Sequence, residues 1–192
     1  MSLINPAEIP GYAEAVEKEQ TTRDLAFLAT PLPLCGIKVR QFTPRHWIML
    51  LRSGNAFICG GRITANDILM FVWYVSEEYC LDLEKRDAFL TAFMEKAAET
   101  KPVDEINSYL DDAFYDMDRS GGELGLKKIY TATIAGIVDV LAREYGWDDE
   151  AILEKPMARL FQYLRRIHHR NNPNKMLFNR SEKLISDWTR RN

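Results

Sequence analysis

The sequence predicts a mainly α protein, a bundle of about six to eight helices with one small β-hairpin near the N-terminus. Three observations carry that reading. Apolar residues recur at helical spacing through most of the chain, strict alternation is confined to one short stretch after Pro33, and prolines stand between the periodic segments. Together they point to one helical domain at residues 31–170, preceded by an N-terminal arm at 1–30 and followed by a basic tail at 171–192.

Within the arm, Tyr12 to Leu28 is a polar, Glu-rich stretch that admits a helix with only a weak apolar face, and it is expected to be peripheral. Pro31 and Pro33 end any such helix. Leu34 to Phe42 then alternates around Gly36, as a hairpin at residues 32–42 would. Thr43-Pro44 is a helix start: the hydroxyl can accept an early backbone N–H, and proline's missing donor costs nothing at the first helical position. The helix Pro44 to Arg52 carries Trp47, Ile48, Leu50 and Leu51, and Ser53-Gly54 stops it.

After Gly60-Gly61, Thr64 with Asp67 three positions on forms an N-cap for a second helix. Its continuous apolar body, Ile68 to Val75, implies burial on nearly all sides and so the centre of the core. Phe89, Leu90, Phe93, Met94 and Ala97, then Val103, Ile106, Leu110, Ala113, Phe114 and Met117, mark two acidic amphipathic helices separated by Pro102. The clearest pattern runs from Leu126 to Tyr145, through Ile129, Ile134, Ile137, Val138 and Leu141, and Gly146 ends it. A turn at Trp147 to Lys155 leads to a helix from Pro156, with Met157, Leu160, Phe161, Leu164 and Ile167 on one side. Asn171 to Asn174 breaks it, and the tail's apolar cluster is Leu184, Ile185 and Trp188.

Hydrophobic residues make up 46% of the 192-residue chain and charged residues 28%, values of a chain that folds. The net charge of -3 argues neither for a general nucleic-acid binder nor for a membrane-surface protein, but its distribution is uneven. Acidic residues dominate from Glu77 to Glu123, basic ones from Arg159 to Arg191. Three cysteines at unrelated spacings, Cys35, Cys59 and Cys80, suggest neither a disulfide framework nor a zinc pair, and reduced thiols in a cytosol fit best. The N-terminus lacks a positive and then apolar leader pattern, and the run Ile68 to Val75 is too short to cross a bilayer, so no membrane role is expected.

Catalytic and metal motifs do not complete themselves. Asp116-Met117-Asp118-Arg119-Ser120-Gly121 has the opening of a calcium loop, but Lys127 stands at the twelfth position, where a bidentate glutamate belongs, and Glu123 at the eighth. An acidic, glycine-rich helix connection is the simpler reading. His46, His168 and His169 with the cysteines form no nucleophile signature. Phosphate-cradling glycine motifs are also missing. The expectation is a chain without catalytic residues, metal or cofactor.

The best candidate surface is the basic stripe Arg159, Tyr163, Arg166 and Arg170, joined by Arg165 and then by Lys175 and Arg180. It could read nucleic-acid phosphates, dock an acidic protein, or be a solvated face. Read as a nucleic-acid binder, the chain would use the helix 156–170 beside Leu126 to Tyr145 as a helix-turn-helix. Its own acidic stretch makes self-association into a homo-oligomer another outlet.

Leu34-Cys35-Gly36-Ile37-Lys38-Val39-Arg40-Gln41-Phe42-Thr43-Pro44-Arg45-His46, a hairpin feeding into a helix, resembles the opening of the tail assembly chaperones of tailed bacteriophages. The Gly146-Trp147-Asp148 turn followed by Pro156 to Leu164 is similar to phage structural-gene products of this kind. The likeness spans the layout from Leu32 to Arg170, and the basic tail departs from it. It implies a non-enzymatic protein of the bacterial host's cytoplasm that coats the tape measure protein, keeps its long apolar helix soluble and helps recruit tail tube subunits. Accessible aromatics such as Phe42, Trp47 and Phe57 would serve that task, and they are equally placed to be core.

Overall fold

A computed structural model of the chain describes residues 5–28, 30–97, 99–117, 133–173 and 179–191. Among them it is mainly α: ten α-helices and one two-stranded antiparallel hairpin. Helix α1 (Tyr12–Leu28) follows a 3-10 turn at Pro6–Glu8. The strands β1 (Leu32–Leu34) and β2 (Ile37–Val39) pair with Leu34 opposite Ile37. Cys35 and Gly36 between them both have positive φ, 49° and 76°, the geometry of the tight turn that matches the strands' twist. Cys35 accepts this despite its side chain because its N–H donates to Glu105 Oε2 at 2.7 Å.

The helices α2 (Pro44–Arg52), α3 (Ala56–Cys59) and α4 (Ala65–Val75) follow. Both predicted starts are present with their hydrogen bonds. Thr43 Oγ1 accepts from the His46 N–H and His46 Nδ1 accepts from the Thr43 N–H at 3.1 Å, so an imidazole completes the box where a carboxylate is usual. Asp67 does the same for Thr64 and also accepts from the Ala56 N–H at 2.9 Å, which fixes α3 to the start of α4.

Beyond α4 come α5 (Leu83–Ala97), α6 (Pro102–Ala113), α7 (Thr133–Tyr145), α8 (Asp149–Leu153), α9 (Met157–Asn171) and α10 (Arg180–Arg191). The count exceeds the expected six to eight because α3 and α8 are single turns inside segments read as connections, and because residues 180–191 are helical. The part of the Leu126 to Tyr145 helix before Thr133, and the calcium-like loop after Met117, lie outside the described residues.

The hairpin is the hub. Arg40 N–H donates to the Val75 carbonyl (2.8 Å), Tyr109 Oη to the Arg40 carbonyl (2.6 Å), Gln41 Nε2 to the Leu25 carbonyl (2.7 Å), and the Met157 N–H to the Phe42 carbonyl (2.7 Å). Four helices are thus tied to the three residues that follow β2. The core gathers on it: Phe42 stacks on Phe71 with ring centroids 6.2 Å apart, and Tyr109 meets both rings edge-on. Leu50, Val72, Val75, Ile106, Leu141, Ile152, Met157 and Leu160 complete it. Burying each such large side chain contributes about 1.5–3 kcal/mol.

The segments that the charge pattern set apart as arm and tail meet each other. Helix α1 packs against both α9 and α10. No helix among the described residues is long and apolar enough to cross a membrane.

Candidate partner-binding surface

The aromatics expected at a surface are divided by the fold. Phe42 is only 2% exposed, held between Phe71, Tyr109 and Phe114, so it is closed to any partner. That corrects its placement: the strict alternation of β2 ends at Arg40, and the chain turns toward α2 with Phe42 facing the core. Trp47 and Phe57 are half-buried, the first edge-on to Phe114 at 5.1 Å and the second tilted against Phe71 at 5.3 Å. All three converge on the core and none shares an accessible patch.

The basic stripe is also divided. Arg159 is half-buried, 4.9 Å over the Phe27 ring and 5.8 Å from Tyr163. Tyr163 packs edge-on against Tyr145, Trp147 and Phe27. Arg170 is exposed and pairs with Glu144 at 2.6 Å; Arg166 is exposed as well. Arg165 turns inward. It donates to Asp116 Oδ1 and, at 2.8 Å, to Asn179 Oδ1.

Asp116 is the centre of a buried charge cluster. From the other side Arg23 donates Nη2 to the same Oδ1 at 2.7 Å and Nε to Oδ2 at 3.0 Å, and its Nη1 pairs with Glu19 at 2.6 Å. Glu19 Oε2 in turn accepts the Ser181 N–H at 3.1 Å, at the start of α10. The guanidinium of Arg23 is held charged by Asp116 and Glu19 against the cost of its burial. These contacts consume the one described carboxylate of the calcium-like loop, and the cluster reads as a clasp joining α1, α6, α9 and α10.

Thiols and imidazoles do not assemble either. Burial and the neighbouring Glu105 push the Cys35 thiol up to about 12, the opposite of what a nucleophile needs. Burial, then the charges of Arg40 and Arg45, bring His46 down to about 4. Its ring caps α2 rather than serving chemistry. Cys59 is exposed and Cys80 partly so. Among the described residues no three His, Cys, Asp or Glu side chains are grouped to hold a metal ion.

The fold leaves apolar residues open on several elements, among them Leu28 at the end of α1 and Leu51 in α2, and α5 is the most thinly covered helix of the acidic stretch. Of its fifteen residues only Phe93 is buried, while Leu83 is 64% and Met94 53% exposed; Leu81 just before it is 88% exposed. On its other flank an open groove of about 580 Å³ runs beside Trp73 and Ile37, with Phe89, Ala92 and Phe93 along it. Apolar residues on two flanks of one helix exceed what its neighbours cover. Sequence reasoning missed this surface because Phe89, Phe93 and Met94 share helical spacing with core positions. The signal available was Leu81-Asp82-Leu83, apolar residues set in the acidic stretch with no periodic partner.

Comparisons of the chain with protein families, with curated proteins and with solved structures find no match.

Proposed function

We propose that this chain is a non-enzymatic assembly protein of a tailed bacteriophage, a cytoplasmic tail assembly chaperone that binds the tape measure protein, tail tube subunits or both. The observation that carries the reading is the open apolar surface around α5. Exposed Leu81, Leu83 and Met94 along one side of α5 form a surface suited to holding an apolar helix of another protein, and the groove on the opposite side of the helix is separate from it. The surrounding Glu77, Glu78, Asp82, Glu84 and Asp87 keep such a surface soluble while it waits. The hairpin-into-helix layout from Leu34 to His46 adds the family likeness.

The nucleic-acid alternative loses ground because most of the stripe's arginines are engaged within the chain. Of the stripe's arginines, Arg165 is spent inside the clasp, Arg159 lies on aromatic rings and Arg170 is paired. Co-expression with a tape measure or tail tube protein, followed by pull-down at low salt, tests the proposal. Co-purification is expected, and weakening by Leu81→Glu with Leu83→Glu locates it at α5. Failure to retain either protein sinks it.

A further inference from the structure

We infer that the exposed stripe of α5 takes an amphipathic helix of another protein whose apolar face is flanked by basic side chains. This rests on the partner-binding reading and names the partner's chemistry.

The stripe is Leu83, Leu90 and Met94, seven and then four positions apart and so aligned along one face of α5. Leu83 and Met94 are exposed and Leu90 between them is half-buried, while the wide-open Leu81 stands two residues ahead of the first. Phe89 and Phe93 fall on the core side of the helix, the second of them buried. From Leu83 to Met94 the row is about 16 Å long, which matches three turns of a docked helix.

Charge selects what docks. Glu84 and Glu95, also eleven positions apart, follow the stripe along its outer flank, one near each end. Both are exposed, and among the described residues neither side chain forms an ion pair or a hydrogen bond. Asp87 between them is offset by Arg86 at 2.7 Å, so that pair adds no net charge. The remaining cations of the helix, Lys85 and Lys96, sit about half a turn from Leu83 and Met94 and line the groove with Trp73 and Ile37 instead. The flank beside the stripe is therefore anionic at both ends.

Those two carboxylates disfavour the other occupants of an apolar face. Antiparallel pairing of two α5 stripes sets Glu84 against Glu95 of the second copy, and a nucleic acid or an anionic lipid surface brings further negative charge to the same flank. A helix with lysines or arginines beside its apolar row satisfies the stripe and the glutamates together.

Fluorescence anisotropy of two labelled synthetic helical peptides against the full chain tests this. Both carry the same three-turn Leu/Ala stripe, flanked by lysines in one and by glutamates in the other. The lysine peptide is expected to bind about tenfold tighter, with an advantage that shrinks as salt rises. Glu84→Lys with Glu95→Lys should reverse the preference. Leu83→Gln with Met94→Gln, at exposed positions where circular dichroism checks that the fold is kept, should weaken both peptides at least about tenfold. Equal or tighter binding of the glutamate peptide, binding of neither, or indifference to the paired Gln substitutions would overturn the inference. So would sedimentation showing a dimer that those substitutions dissociate, since the occupant would then be a second copy. A chain that prefers the lysine peptide yet retains neither tape measure nor tube protein keeps this inference and loses the chaperone reading. Retention of either protein undiminished by Glu84→Lys with Glu95→Lys removes the basic flank and leaves the chaperone reading intact.

Discussion

The apolar core and the charged clasp hold different parts of the molecule by different physics. The core draws on the hairpin and on α2 to α9, and among the described residues on neither α1 nor α10. Those two helices are held largely by polar contacts of Glu19, Arg23, Asp116, Arg165 and Asn179, to which α1 adds the buried Ala26 and the edge-on contact of Phe27 with Tyr163. Apolar burial is non-directional and shared among many neighbours, so it is lost cooperatively. A charge cluster is directional, its net contribution is small after desolvation, and it fails where its partners fail. The α1–α10 layer should therefore come away at lower free energy than the core unfolds.

The largest effect belongs to the core. Phe71→Ala removes a fully buried ring between Phe42, Phe57 and Tyr109 and should cost about 3–5 kcal/mol, read as a lower urea midpoint with all probes shifting together. Hydrogen exchange showing α1 protected while the core opened would mean that the α1–α10 layer does not separate from the core at lower free energy.

Acid should also act on the core, through His46. The folded imidazole titrates at about 4 against 6.5 for the free side chain, because burial disfavours its charge. The unfolded chain therefore binds more protons between those values. Stability present above pH 6.5 is lost progressively as the pH falls toward 4, by up to about 3 kcal/mol. His46→Asn, which retains an acceptor for the Thr43 N–H, should flatten that slope in a pH series of urea melts.

Asp116→Asn sharpens the contrast at smaller cost. It leaves two guanidinium groups facing each other, yet Arg23 and Arg165 side chains are 26% and 17% exposed and gain water on release. About 2 kcal/mol is expected, confined to faster amide exchange in α1 and α10, with the amides of α4 and α6 unchanged. Arg45→Ala is the control. Its pairs with Glu150 and Glu154 sit at the surface, and their loss should change the thermal midpoint by the equivalent of less than about 0.5 kcal/mol.

Much of the fold was legible because its punctuation is local chemistry. Thr43-Pro44, Thr64 with Asp67, and Cys35-Gly36 each form hydrogen bonds or backbone angles within a few residues, and α2 and the hairpin appear where those signals place them. The proposed surface was less legible. Helical spacing says that Phe93 and Met94 belong to an amphipathic helix but not which flank finds a neighbour, and the first is buried while the second is exposed.

The sequence by itself determined the α-rich class, the hairpin and the places where helices start, since propensity, capping and turn geometry act over one to four residues. Tertiary structure alone decided that Phe42 points inward, that Arg165 leaves the basic stripe for Asp116, and that Arg23 reaches Asn179 across the length of the chain. Each of those outcomes depends on which groups desolvate one another in space, and a linear pattern does not encode who the neighbour will be.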